Sequence, residues 1–278
     1  MGEPAIQIRG HRHHPLVAVP SAADEGPAMS GALAQAFENG ELRLAVQPIV
    51  TMAGGALHGV EVLLRWPGGP GPDEFVPAAE RSGLIVPIGR WVLSGALDLA
   101  VELGRRAGWQ VPVAVNVSAR QLEDPTLVAH VRAELARTGL PGSVLSLELT
   151  ETSAVHDVAA AAAVLVALRE LGCLVGLDDF GTGWSTLSLV ALLPLTFIKL
   201  DRSFVAALAC ESGNKVARAV LGLGRDLDLE VVAEGVETVE QADILQEMGC
   251  RLAQGYLYAR PTQSLDVMAS FLRDPSLS

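Results

Sequence analysis

Short apolar runs carrying an acidic residue recur along this chain, and no other feature narrows its fold as much. VEVLLRW carries Glu61, LSLELTE carries Glu148, VGLDDFG carries Asp178 and Asp179, and VVAEGVE carries Glu234. Apolar runs of this length, bounded by turn residues, read as buried strands. One carboxylate at such a place is ordinary. A set delivered from separate buried strands gathers negative charge in one place, which costs several kcal/mol per ion unless cations offset it. The pattern therefore points to a divalent-metal site. Taken singly, Asp178 and Asp179 also read as a turn-forming pair and Asn116 as an Asx turn.

The spacing of the runs sets the topology. A short helix over GALAQAFENG, closed by Gly40, leads into an apolar run from Leu42 to Val50, and a second run starts near Leu57 after TMAGGA. So short a connection implies an antiparallel hairpin, because a parallel crossover needs about a dozen residues or more. From there the rhythm is strand, loop, helix: VPVAVNVS, VLSLELTE, LVGLDDFG, TFIKLD, EVVAEGVE and RLAQGYLY, each separated by a helical pattern. Asp124-Pro125 before LVAHVRAELARTG, and Asp157 before the alanine-rich stretch ending at Gly172, read as helix N-termini. The expected fold is α/β, a TIM-like (β/α)8 barrel with an antiparallel first strand. In such a barrel the carboxyl ends of the parallel strands open on one face, where groups from different strands converge.

With 278 residues, half of them hydrophobic, the chain can bury one barrel-sized core. Lys and Arg total 20 against 32 Asp and Glu, a formal charge of -12, which leaves no broad basic surface for gripping long nucleic acid. A small anionic ligand stays compatible, since bound divalent ions reverse the local field. Cys173, Cys210 and Cys250 are far apart and form no CxxC motif, as expected of structural thiols in a reducing, cytoplasmic compartment. The longest purely apolar stretch, Val158 to Leu168, is too short to span a bilayer, so neither a membrane span nor a secretion signal is expected. Residues 1–30 read as a flexible tail or linker and 31–278 as the barrel. His11, His13 and His14 lie in that tail, with nothing to orient them as metal ligands.

Ordered motifs then identify a relationship: QPIV at Gln47, EVLLRW at Glu61, NVSARQL at Asn116, ELTE at Glu148, DDFGTGWSTL at Asp178, IKLDRSF at Lys199, AEGVET at Glu234 and QGYLYARP at Gln254. From about Leu42 to Leu272 the chain resembles the EAL-domain family, bacterial phosphodiesterases that linearise the second messenger cyclic di-GMP. Three departures stand out. The naming tripeptide reads Glu61-Val62-Leu63, the loop after Trp66 is short (PGGPGP), and Val46 replaces an aromatic before the Gln-Pro pair. Val62 is expected to point away from the functional face. Val46 and the short loop are expected to alter how substrate edges pack.

The resemblance implies that Glu61, Asn116, Glu148 and Asp178 hold one divalent ion, and that Asp178, Asp179 and Glu234 surround a second, with Asp178 bridging. Hard oxygen donors suit Mg²⁺ or Mn²⁺. Lys199, costly after an apolar strand unless it faces carboxylates, is implied to hold the attacking water; snorkelling to the rim is its bland alternative. Catalytic roles fall to Glu61, Lys199, Asp179 and Glu234. Arg65 shares a strand face with Glu61 by even spacing and is the candidate phosphate clamp, or a surface arginine paired with a rim acid. Gln254, Gln47 and Glu237 are candidate substrate contacts, and a buried hydrogen-bonding role explains each equally well. Glu151, with Thr182 and Gly183, is implied to order the loop Gly181 to Ser185, which with its following helix implies a homodimer contact. Trp184 either packs in that contact or caps the barrel. No histidine is needed, and His58, His130 and His156 fit none of the motifs. The implied reaction is two-metal, in-line attack of water on one phosphodiester of cyclic di-GMP, giving linear pGpG, under an upstream sensory or GGDEF-type module. Two alternatives stay open: a catalytically silent cyclic di-GMP receptor, and an unrelated barrel metalloenzyme acting on another phosphate or carboxylate.

Overall fold

The computed structural model describes residues 26–150, 157–181, 186–266 and residue 271. Glu151, His156, Thr182, Gly183, Trp184 and the tail histidines lie outside them. Helix α1 (Gly26–Glu38) precedes a hairpin of β1 (Arg43–Thr51) and β2 (Leu57–Arg65), followed by α2 (Pro72–Ser82) and α3 (Ile85–Ala107). Next come β3 (Val113–Val117), α4 (Ala119–Leu122), α5 (Leu127–Thr138), β4 (Leu145–Thr150), α6 (Val158–Glu170) and β5 (Leu174–Phe180). The chain continues through α7 (Thr186–Leu192), β6 (Phe197–Leu200), α8 (Arg202–Ala206), α9 (Glu211–Asp226), β7 (Glu230–Ala233), α10 (Val239–Glu247) and β8 (Leu252–Ala253).

Among the described residues, eight strands close in sequence order into one barrel. β1 runs antiparallel to both its neighbours, β2 and β8, and the other strands pair in parallel. The hairpin closes over the Gly-Gly turn, where Thr51 N–H donates to the Ala56 carbonyl at 2.8 Å and Gly55 N–H to the Thr51 carbonyl at 3.0 Å. Asp157 caps α6 by accepting from Ala160 N–H, as its sequence position implied. Two boundaries differ. α1 begins at Gly26, inside the stretch read as tail, and α5 begins at Leu127 rather than at Pro125. Asp124 instead accepts from the Thr126 N–H at 3.0 Å and from Arg90 at 2.6 Å, so it organises the turn before α5. No single described helix is long and apolar enough to cross a membrane.

Strand alternation divides the interior in two. Val46, Val62, Val115, Leu147, Leu177 and Ile198 belong to the main core with the helix residues Leu93, Leu97, Val131 and Leu165. Ile49, Phe197, Val232 and Leu252 form a separate small cluster against Leu174 inside the barrel. Fully burying a Val, Leu, Ile or Phe side chain contributes about 1.5–3 kcal/mol. The many such residues of the outer layer therefore carry the stability, and the lumen is left able to hold polar groups. Gly176 on β5 makes room there: a Cβ at that position lies 2.2 Å from the Phe197 ring. Gly176→Ala should destabilise the protein by about 1–3 kcal/mol through overpacking, seen as a lower denaturant midpoint at unchanged m-value. An unchanged midpoint would show that the Phe197 ring moves aside freely.

Candidate active site

The same alternation that sends Val62 outward sends Glu61 inward. Residues of one parity on β2, β4, β5 and β6 deliver Glu61, Glu148, Asp178 and Lys199 to a single level of the lumen, and Glu234 joins from the end of β7. Lys199, 1% exposed, places its Nζ 2.6 Å from Glu234, 3.0 Å from Glu148, 3.2 Å from Asp178 and 3.5 Å from Glu61. The rim-snorkelling reading of this lysine is thereby removed. A second set of bonds fixes Glu61: Asn116 Nδ2 donates to one carboxylate oxygen and Gln254 Nε2 to the other, each at 2.7 Å. Gln254 also donates to Gln47 at 2.9 Å, and Gln47 donates to the Ala259 carbonyl at 3.0 Å. Both glutamines are buried, and their bonds position Glu61.

One ammonium does not neutralise this many acids in a dry setting. Burial, opposed by Lys199 and reinforced by Glu61 and Asp178, pushes the Glu148 carboxyl up to about 8. Burial likewise raises Glu234, against the pull of Lys199. Asp179 rises to about 6, from burial first and then from Asp178 and Asp201. Burial alone would lower Lys199, but Asp178, Glu148, Glu234 and Glu61 outweigh it and hold its pKa above the usual lysine range.

The donor set fits a pair of divalent cations. Carboxylate oxygens of Glu61, Glu148 and Asp178 lie within 4.8 Å of one another, as do those of Asp178, Asp179 and Glu234, so Asp178 is common to both groups. Glu148 Oε1 is buried without a hydrogen-bond partner among the described residues, an acceptor that a cation would satisfy. Asp179 adopts a positive φ of 55°, tolerable for aspartate, and its N–H donates to Asp178 Oδ1 at 2.9 Å. At Gly181 (φ 101°) a Cβ would lie 2.7 Å from the Phe204 ring, so only glycine lets the loop after Asp179 leave at that angle.

Other sequence candidates fall around this cluster. Arg65 is half-buried, donates to the Leu64 carbonyl, and lines, together with Asn116, a cavity of about 500 Å³ walled by α2 and α3. Glu237 is exposed and joins none of the bonds of the acidic layer. Val46 is fully buried in the outer core, so its replacement of an aromatic does not touch the lumen, contrary to the expectation from sequence. Val62 faces outward as expected, 2% exposed. One residue was missed. Asp201, 8% exposed, caps α8 by accepting from Ser203 N–H and stands against Asp179. The available signal was an acid two residues past Lys199 at the opening of a helix.

These protonation states imply a pH dependence. A carboxyl that holds its proton more tightly folded than unfolded adds stability below its unfolded pKa and loses that contribution as pH rises through its folded pKa. For Glu148 the window runs from 4.5 to about 8, and for Asp179 from 3.8 to about 6. The melting temperature of the metal-free protein in EDTA should therefore fall across this range. Mg²⁺ should flatten or reverse the slope, with proton release on binding. A slope that Mg²⁺ leaves unchanged would contradict the electrostatics described.

Comparison with known proteins agrees with this geometry. The EAL domain family matches residues 30–261. The bifunctional diguanylate cyclase/cyclic di-GMP phosphodiesterase MucR of Pseudomonas aeruginosa is 42% identical over 246 residues, 86% of this chain and 36% of MucR. The cyclic di-GMP phosphodiesterase NbdA of the same organism is 39% identical over 250 residues, 88% of this chain and 32% of NbdA. The chain thus spans about a third of the length of these relatives. A solved structure of the PaMucR phosphodiesterase in complex with c-di-GMP superposes with a TM-score of 0.76 at 40% identity, covering 84% of this chain and 97% of that one. By matched length, by identity and by barrel geometry, the chain belongs to the EAL domain family.

Proposed function

We propose that this chain hydrolyses one phosphodiester bond of cyclic di-GMP to give linear pGpG, with Mg²⁺ or Mn²⁺ as cofactor. The observation that carries the reading is the convergence of Glu61, Glu148, Asp178 and Glu234 on Lys199, together with two carboxylate groups that share Asp178. Glu61, Asn116, Glu148 and Asp178 would hold one cation, and Asp178, Asp179 and Glu234 the other. When bound, such a pair lowers the pKa of an attacking water and neutralises charge on the phosphoryl oxygens. Lys199, a donor only, orients the nucleophile and offsets charge building on the phosphate. The planar Arg65 fork suits a non-bridging phosphate oxygen pair, and the adjoining cavity, with its apolar Val76, Ile85 and Ile88, offers room for a guanine base.

Gln47 and Gln254 keep Glu61 in place, and Asp201 backs Asp179. Glu151, Thr182 and Gly183 are assigned to ordering the loop that follows Asp179, and Glu237 to the outer edge of the substrate. Division into a 1–30 linker and a 31–278 barrel, cytoplasmic action as a homodimer, and an upstream sensory or GGDEF-type module belong to the same proposal. The greater length of MucR and NbdA supports the last of these. Val62 is buried and faces away from the acidic layer, which supports the enzyme reading over a silent receptor.

The test is chromatography of cyclic di-GMP incubated with the purified chain and Mg²⁺ or Mn²⁺, beside an EDTA control. Metal-dependent pGpG is expected. Nucleotide binding without product would make the chain a receptor, and neither binding nor product would sink the proposal. Glu61→Gln sets an amide against donors from Asn116 and Gln254, so product should disappear and metal affinity weaken, at a cost of about 1–3 kcal/mol to the stability of the metal-free protein; undiminished turnover would remove Glu61 from the ligands. Lys199→Met should lower kcat by about 10² or more with little change in KM, the mark of an interaction made in the transition state. A KM effect alone would reassign Lys199 to substrate binding.

A further inference from the structure

Below the acidic layer the lumen is not filled. TIM-like barrels stack bulky side chains through their interior, and here Ile49, Phe197 and Leu252 supply that bulk on one arc of the lower layer. On the other arc the inward positions of β2, β3 and β4 below Glu148 carry small side chains, Gly59, Ala114 and Ser146. The result is a cavity of about 270 Å³ at the amino-terminal ends of the parallel strands, with Glu148 at its inner limit and His58 and Glu230 at its rim. Its polar groups are few: the Thr196 hydroxyl is already engaged with the Val175 backbone, leaving Ser146 and the Glu148 carboxyl within and His58 and Glu230 at the rim. Cavities this apolar hold water poorly, and one of about 150 Å³ accepts benzene.

A second hollow of about 550 Å³ adjoins the first, sharing Thr196 and Glu230 with it, and carries Arg225 and Arg251. Arg251 is occupied by its ion pair with Glu230. Arg225 is exposed and enters no ion pair among the described residues, Asp228 of the same hollow included. The floor of the barrel thus joins an apolar well, large enough for a fused bicyclic ring, to an open shelf with an uncommitted guanidinium.

We infer that this floor cleft is a second ligand site, for a planar aromatic acid whose ring enters the lumen between Phe197 and Ala114 and whose short carboxylate arm reaches Arg225. It opens at the end of the barrel opposite the proposed substrate cleft and meets the acidic layer only at Glu148, two residues along β4 from Ser146. It stands on the geometry of the lumen and is independent of the proposed hydrolysis.

Isothermal titration of the whole metal-free chain with indole-3-acetate and with indole tests it. Both should bind at one site, indole-3-acetate about tenfold more tightly. Ala114→Leu should fill the well and abolish both binding events, its fold checked by near-UV circular dichroism. Arg225→Ala, a surface change, should reduce indole-3-acetate to the affinity of indole and leave indole itself unaffected. The inference fails if neither compound binds the unaltered chain, if folded Ala114→Leu binds them undiminished, or if Arg225→Ala keeps the tenfold preference. Should Ala114→Leu not fold, the Arg225→Ala comparison decides.

Discussion

A buried ammonium surrounded by carboxylates is the constraint on which this structure turns. Lys199 sits within 3.5 Å of Glu61, Glu148, Asp178 and Glu234, in a place where an isolated charge of either sign would be prohibitive. Attraction keeps the lysine charged, but one positive charge leaves the acids in excess. Protons retained by Glu148 and Glu234, and by Asp179 below about 6, offset the remaining negative charge. Divalent cations would supply the same compensation by displacing those protons, and the unpartnered Glu148 oxygen is an acceptor that one of them would satisfy.

The barrel makes such a site tolerable by separating stability from chemistry. Each strand turns one row of side chains to the helices and the other to the lumen, and nearly all the large apolar residues are in the outward row. The inner row holds only a small apolar plug beneath the acids, with Gly176 yielding space to Phe197. An inward acid on one strand and an inward lysine on another meet because the β5–β6 register sets Gly176 beside Phe197, two residues before Asp178 and Lys199, and the β3–β4 register sets Asn116 beside Glu148. A slip of one residue on any strand would send its functional side chain into the helix layer.

Much of the site was legible in the chain because the relevant signals are local. Apolar runs bearing acids, and even spacing between Glu61 and Arg65, follow from strand geometry alone. What escaped depends on neighbours distant in sequence. Val46 looked like a change at the substrate edge, but its parity assigns it to the outer core. Gln47 and Gln254 were equally compatible with substrate contact and with support, and only their mutual bond and its continuation to Glu61 separate the two. Asp201 resembles an ordinary helix cap until the fold sets it against Asp179. Glu237, placed among the substrate contacts by its motif, lies exposed beside α10 and outside the hydrogen-bonded acidic layer.

By itself the sequence determined the eight strands, the antiparallel hairpin imposed by a connection too short for a crossover, and the identity of the acids, since these rest on spacing and side-chain chemistry within a few residues. The tertiary structure alone decided which acids share Lys199, which carboxyls keep protons, and which glutamines serve Glu61. Those properties depend on distances between side chains from different strands and on the burial they share, and both quantities exist only once the barrel has closed.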